Sequence, residues 1–216
     1  MTDFAAQREA MVVRQIAARG IADASLLAAM RAVPREAFVP EAVRAFAYED
    51  GPLPIEAGQT ISQPYIVALM IEAAGVAQGS RVLEIGAGSG YAAAVLSRIA
   101  DEVIAIERHG ELADRAAARM ATLGYDKVRI VAGDGSAGWP DGAPYDAILA
   151  AASGSHVPDV LKRQLKVSGS LVMPLGGPGE VQDLVRVTRR SEEAWEQESL
   201  GPVRFVPLIG EEGWTE

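Results

Sequence analysis

Val82-Leu83-Glu84-Ile85-Gly86-Ala87-Gly88-Ser89-Gly90-Tyr91 joins a short apolar run to three glycines at alternate positions. Arg81–Ile85 reads as a buried strand, and a helix follows from Gly90 to Ile99. Glycine allows the sharp turn between them and lets a ligand approach the backbone. The stretch therefore predicts a strand–turn–helix corner at the ligand-binding edge of an α/β sheet.

The pattern repeats downstream. Glu102–Glu107 reads as a second strand, and Glu111–Leu123 as a helix stopped by Gly124. Lys127–Val131, Tyr145–Ala150, Ser170–Pro174 and Val181–Arg189 follow as strands, with a helix over Val157–Leu165 and a last strand over Val203–Leu208. Strand–helix alternation implies a parallel sheet covered by helices on both faces.

Upstream, the pattern is helical from Thr2 to Phe46. Val12 and Ile16 share a face, and Gly20 is a helix stop. Asp23 can cap a second helix that buries Leu26, Leu27 and Met30. Pro34 and Pro40 break the chain. Ala47–Pro64 is a long loop with aliphatic and hydroxyl residues, expected to be ordered, and Pro64 opens a helix to about Ala74. The expectation is one domain over residues 1–216, with N-terminal helices and a substrate loop in 1–79 and the α/β core in 80–216.

Composition narrows the function. The chain has 216 residues, a net charge of −9 and 49% hydrophobic residues, with a mean hydropathy of +0.11. An acidic chain is a poor nonspecific binder of phosphate backbones, so no nucleic-acid partner is expected. It contains no cysteine, which excludes thiolate nucleophiles and Cys-ligated zinc. His109 and His156 lie far apart, so no metal site is expected. The start shows no basic-then-apolar leader, and no stretch approaches the ~20 apolar residues of a membrane span. A cytoplasmic monomer without membrane contact is the expectation.

The glycine loop alone fits a corner without ligand, a dinucleotide site or an S-adenosylmethionine site. A dinucleotide fingerprint would place its third glycine at Tyr91. Glu84, near the end of its strand, repels pyrophosphate but attracts the ammonium and sulfonium of S-adenosylmethionine. Glu107 closes the second strand about 20 residues beyond Gly86, a spacing that suits a carboxylate accepting from ribose hydroxyls. Both acids can instead be strand-end surface charges. Asp134, in Gly133-Asp134-Gly135, can accept from an adenine amino group or simply make a turn. Trp139 reads better as a packed core-edge residue than as an adenine shield.

Taken with Val33–Val39, the blocks Gly58-Gln59-Thr60-Ile61-Ser62-Gln63-Pro64-Tyr65, Gly138-Trp139-Pro140 and Arg204-Phe205-Val206-Pro207-Leu208 make the chain resemble the protein-L-isoaspartate O-methyltransferase family over almost its whole length. The resemblance implies a class I methyltransferase fold: Rossmann-like, doubly wound and mostly parallel, with an N-terminal helical extension. It places S-adenosylmethionine on Glu84, Gly86, Gly88, Glu107, Asp134 and Gly135, with S-adenosylhomocysteine as product and no metal. It assigns substrate to Thr60, Ile61, Ser62 and the Val206 backbone, with Ser62 matching the active-site serine. From the residues alone Ser62 serves equally as a helix cap. Ala150-Ala151-Ala152-Ser153 departs from a threonine-containing run common in the family.

The implied reaction esterifies the free α-carboxylate of L-isoaspartyl residues in damaged proteins and peptides. The ester then closes to a succinimide without the enzyme, and hydrolysis returns some normal aspartate. A carboxylate with a reference pKa near ~4 is already ionised at neutral pH and needs no general base. Three other classes are a nicotinamide oxidoreductase, a methyltransferase of small molecules or nucleic acid, and a cofactor-binding module without turnover. Tyr91 opposes the first and the Thr60–Pro64 and Arg204–Leu208 blocks the second. Retention of Ser62 and the three acids opposes the third.

Overall fold

A computed structural model describes residues 3–215; Thr2, where the helical zone was expected to begin, lies outside them. Helix α1, Phe4–Met11, starts where the Asp3 carboxylate accepts from the Ala6 N–H at 3.0 Å. The coil then changes pitch, with a π turn over Val12–Ile16 and a 3-10 turn over Ala17–Arg19. Gly20, at φ +100°, ends it. Asp23 caps α2, Ala24–Ala32, by accepting from the Leu26 N–H at 2.8 Å. After Pro34 the chain makes two 3-10 segments, Arg35–Phe38 and Glu41–Phe46.

The expected long loop is ordered. Leu53–Pro54 (β1) and Thr60–Ile61 (β2) pair antiparallel and fold it back on itself. Pro64 begins α3, Pro64–Ala73, where its missing N–H costs nothing.

The sheet contains β3 (Arg81–Ile85), β4 (Glu102–Glu107), β5 (Val128–Ala132), β6 (Tyr145–Ala150), β7 (Leu165–Leu175), β8 (Gln182–Arg189) and β9 (Trp195–Val203), in the order β5-β4-β3-β6-β7-β8-β9. Helices α4 (Tyr91–Leu96), α5 (Gly110–Leu123) and α6 (Asp159–Arg163) join its parallel part. The chain winds outward from β3 to β5, then returns to β6 on the other side of β3. That reversal opens a crevice at the strands' carboxyl ends.

Four pairings are parallel, but β8 and β9 are antiparallel. The sheet is mostly parallel rather than wholly so, because only short turns join β7 to β8 and β8 to β9, and a short turn cannot cross over to a parallel strand. The last strand is Trp195–Val203, not Val203–Leu208. Its residues are largely exposed, so no apolar alternation marks it in sequence. The helix expected over Val157–Leu165 shrinks to Asp159–Arg163, and β7 starts at Leu165 rather than Ser170.

Alternate strand residues divide two cores. Val82, Val103, Ala147 and Val172 face a cluster that includes Met11, Met30, Phe38 and Ile71 of the N-terminal zone. Leu83, Ile104, Ile148 and Leu171 face the other, thinner layer, with Leu161 of α6, Trp139 and Leu208. Helical cover is thus heavy on one face and slight on the other. Phe38 is fully buried, with its ring edge-on to Tyr91 at 5.5 Å. Phe38→Ala should cost about 3–5 kcal/mol and lower a single urea transition. Two separated transitions would show that 1–79 does not fold with the rest.

Candidate active site

Three parallel strands end beside one another, and the loops leaving them enclose a cavity of about 700 Å³. Glu84, Gly86 and Gly88 line it from the first turn, Glu107 from the second and Gly135 from the third. Gly86, Gly88 and Gly90 all have positive φ, +85°, +54° and +85°, a conformation that side chains bearing Cβ resist. The Gly86 and Ala87 N–H groups both donate to the Ile106 carbonyl, at 2.9 and 3.0 Å, and tie the loop to β4. A Cβ on Gly135 would fall 2.6 Å from Ile85 Cγ2, so packing demands glycine there.

The two glutamates differ sharply. Glu107 accepts from the Gly88 N–H at 2.8 Å and from the His109 N–H at 2.9 Å. It braces the glycine loop and still has lone pairs to offer. Glu84 is 3% exposed, and its Oε2 has no hydrogen-bond partner among the described residues. Burial, reinforced by the nearby Glu107 charge, pushes its carboxyl up to about 8. A buried acid without a partner is costly, and a cationic ligand in the cavity would supply what it lacks.

Asp134 is not on the cavity wall. Its carboxylate accepts from the Ser136 N–H and the Glu211 N–H, each at 2.8 Å. Partial burial raises its pKa, but the Glu211 and Ser136 donors and the Arg108 charge outweigh that and hold it below the ordinary value. Asp134 therefore acts as a turn aspartate that also pins the C-terminal segment. Trp139 packs on the second core, and its carbonyl accepts from the Tyr145 hydroxyl at 2.7 Å.

Thr60, Ile61 and Ser62 line the same cavity from the other side of the chain, as does Val206. Ser62 does not cap α3: Gln63 is the N-cap residue, and no side chain makes a capping bond there. The Ser62 hydroxyl has no partner among the described residues. Val206 belongs to a strap held by distant groups. The Gln182 side chain accepts from the Phe205 N–H at 2.6 Å and donates to the Phe205 carbonyl at 3.1 Å. The Ser153 backbone donates to the Val206 carbonyl and accepts from the Leu208 N–H, both at 2.8 Å. The Ala150–Ser153 loop thus anchors the strap by its backbone.

A family model for protein-L-isoaspartate(D-aspartate) O-methyltransferase (PCMT) matches residues 6–213. The chain belongs to that family. A protein-L-isoaspartate O-methyltransferase 1 of Rhodopseudomonas palustris strain HaA2 is 63% identical over 214 residues, covering 99% of this chain and 87% of the relative. One from Methylorubrum extorquens strain PA1 is 59% identical over 207 residues, covering 96% and 90%. A solved protein-L-isoaspartate O-methyltransferase superposes with a TM-score of 0.84 at 30% identity, covering 95% of this chain and 66% of that one. A Plasmodium falciparum structure named for the same activity, in complex with S-adenosyl-L-homocysteine, gives 0.80 at 25% identity, covering 94% and 98%.

The structure adds further residues around the cavity to those expected from sequence. Gln59 Nε2 and His109 Nε2 lie 3.3 Å apart, and Glu56 pairs with Arg115 of α5 at 3.0 Å. These contacts lay the Ile55–Gln59 turn over the glycine loop. The position of His109, two residues past Glu107, was the available signal. Arg204, exposed, also borders the cavity. Among the described residues no three His, Asp or Glu group to hold a metal, and no helix is long and apolar enough to cross a membrane.

Glu84 also sets a stability prediction. Its folded pKa lies above the unfolded value, so the stability of the neutral carboxyl is complete below pH ~4.5 and lost as pH rises to about 8. Glu84→Gln should therefore stabilise the ligand-free protein by about 2–4 kcal/mol at pH 8 and hardly at pH 4.5. Thermal melts across that range test it, and a difference independent of pH would contradict it.

Proposed function

We propose that this chain esterifies the free α-carboxylate of L-isoaspartyl residues in damaged proteins and peptides, using S-adenosylmethionine, and so initiates their repair through a succinimide. One observation carries the reading: a buried carboxyl, Glu84, and a hydroxyl, Ser62, both without a hydrogen-bond partner among the described residues, line one cavity. The first suits a cationic cofactor and the second an anionic substrate. A nicotinamide dinucleotide would set its pyrophosphate against Glu84. Tyr91, at the third fingerprint position, is buried against Phe38.

The residues present fit the cofactor. Glu84 offers charge, the Gly86 and Gly88 turn offers close backbone approach, Gly135 lines the wall beside it, and Glu107 keeps acceptor capacity for ribose hydroxyls. Asp134 would serve mainly by holding the third turn in place. Bound S-adenosylmethionine supplies a methyl group already activated by its sulfonium.

The chain's own residues then have only to position. The substrate carboxylate is ionised, so no side chain removes a proton. Ser62 donates its hydroxyl proton in a hydrogen bond to one carboxylate oxygen and leaves the other turned into the cavity. Thr60, Ile61 and the Val206 backbone hold the peptide on either side. Positioning of this kind draws on the roughly 7–11 kcal/mol available from orientation. Residues 1–79 would contribute the Thr60–Ser62 side of the substrate site and 80–216 the cofactor site and the Val206 strap, within one domain. The net charge of −9 supports a protein rather than nucleic-acid partner, and a cytoplasmic monomer is the setting proposed.

The test is methyl transfer from labelled cofactor to paired peptides, one isoaspartyl and one with normal aspartate. Base-labile label on the isoaspartyl peptide alone is expected, and label on neither would overturn the reading. Ser62→Ala should lower kcat about 10–100-fold while S-adenosylhomocysteine affinity stays within about twofold; the reverse pattern would remove Ser62 from its role. Because Glu84 is largely neutral below pH 8 in the free protein, cofactor affinity should rise with pH up to about 8. Calorimetry in buffers of different ionisation enthalpy should detect the proton released at pH 7.

A further inference from the structure

Among the described residues the Ser62 hydroxyl has no hydrogen-bond partner, so its position depends on the segment around it. Gln63, next to it, and Tyr65, three residues on, are both tied to a single acid 12 residues upstream of Ser62 in the chain. The Asp50 Oδ1 accepts from Gln63 Nε2 at 2.7 Å, and the Asp50 carbonyl accepts from the same nitrogen at 3.4 Å. The Asp50 Oδ2 accepts from the Arg19 guanidinium at 2.9 Å. That guanidinium in turn lies 3.5 Å from the centroid of the Tyr65 ring. Residues 63 and 65 are thereby fastened to one carboxylate, one directly and one through a stacked cation, with Ser62 next to them at the cavity.

We propose that Asp50 is a positioning residue for the reaction, holding the Ser62 segment through Gln63 and through Arg19 stacked on Tyr65. The proposal rests on the role given to Ser62 above. Three features of the fold converge on it. The change from α to π to 3-10 pitch between Val12 and Arg19, closed by Gly20 in the left-handed region, sets where Arg19 leaves the helix. Pitch changes of this kind occur often at functional sites. Asp50 stands just before β1, whose partner β2 leads straight into Ser62. Gln63 is the N-cap residue of α3 but makes no capping bond, so its side chain is available to Asp50.

The network is half-exposed: the side chains of Arg19 and Asp50 are 41% and 39% accessible. Exposed ion pairs add little to stability. Its effect is expected in placement, where a displacement near 1 Å costs up to about a hundredfold in rate.

Steady-state kinetics with an isoaspartyl peptide test this on the full chain. Asp50→Ala should lower kcat about tenfold, with S-adenosylhomocysteine affinity within about twofold and the melting temperature nearly unchanged. Gln63→Glu, which sets two carboxylates against each other, should lower kcat similarly. Exchanging the two groups in Asp50→Asn with Gln63→Glu restores a hydrogen bond of reversed direction, leaves an amide oxygen at position 50 to accept from Arg19, and keeps the net charge of the cluster. That double variant should recover most of the lost kcat. An Asp50→Ala enzyme as fast as wild type would overturn the proposal. So would a rate loss matched by equal losses in cofactor affinity and melting temperature, or an exchange variant no better than either single one. Wild-type protein inactive on isoaspartyl peptide would overturn the proposed function and this role together. Active wild type with an unaffected Asp50→Ala variant overturns this role alone.

Discussion

Glu84, one residue before the end of β3, and Glu107, at the end of β4, lie on neighbouring parallel strands, with Glu84 paired to Ala105 and Ile85 to Ile106 in register. Two carboxyl groups are thereby confined to one poorly solvated space. The protein resolves their repulsion unequally. Glu107 takes two backbone N–H donors, while Glu84 finds none among the described residues and is driven towards its neutral form. The bond from Gly88 to Glu107 also sets the shape of the glycine loop. Loop geometry and local electrostatics are therefore one feature, and a cation is the ligand that suits both.

Around that feature the chain builds the cavity from segments far apart in sequence. The N-terminal helices bury Met11, Met30 and Phe38 against the heavier face of the sheet, which fixes where the β1–β2 hairpin and α3 begin. The strap at Phe205–Leu208 closes the opposite side, held by Gln182 and by the Ser153 backbone. Asp134, after β5, holds the segment beyond the strap by accepting from the Glu211 N–H.

The corner at Val82–Tyr91 was readable because every cue for it is local: an apolar run, glycines where the backbone turns left-handed, and a helix after them. Glu107 was readable for a related reason, since successive parallel strands end at the same edge. The Gly20 stop, the Asp23 cap and the Pro64 helix start are likewise short-range effects. Strand β9 was missed because an exposed polar edge strand carries no hydrophobic period; its pairing comes from the turn before it. Ser62 could be read as a cap only until the chain was seen to place Gln63 at that position instead.

Sequence alone determined the order of elements, the glycine loop and the acids at its rim, because these follow from backbone preference and burial within a few residues. Only the tertiary structure decided that Glu84 finds no partner among the described residues while Glu107 has two, that Asp134 is occupied with the C-terminal segment, and that Asp50 reaches Gln63. Hydrogen bonds between groups tens of residues apart depend on how sheets and loops pack, and no local pattern in the chain encodes them.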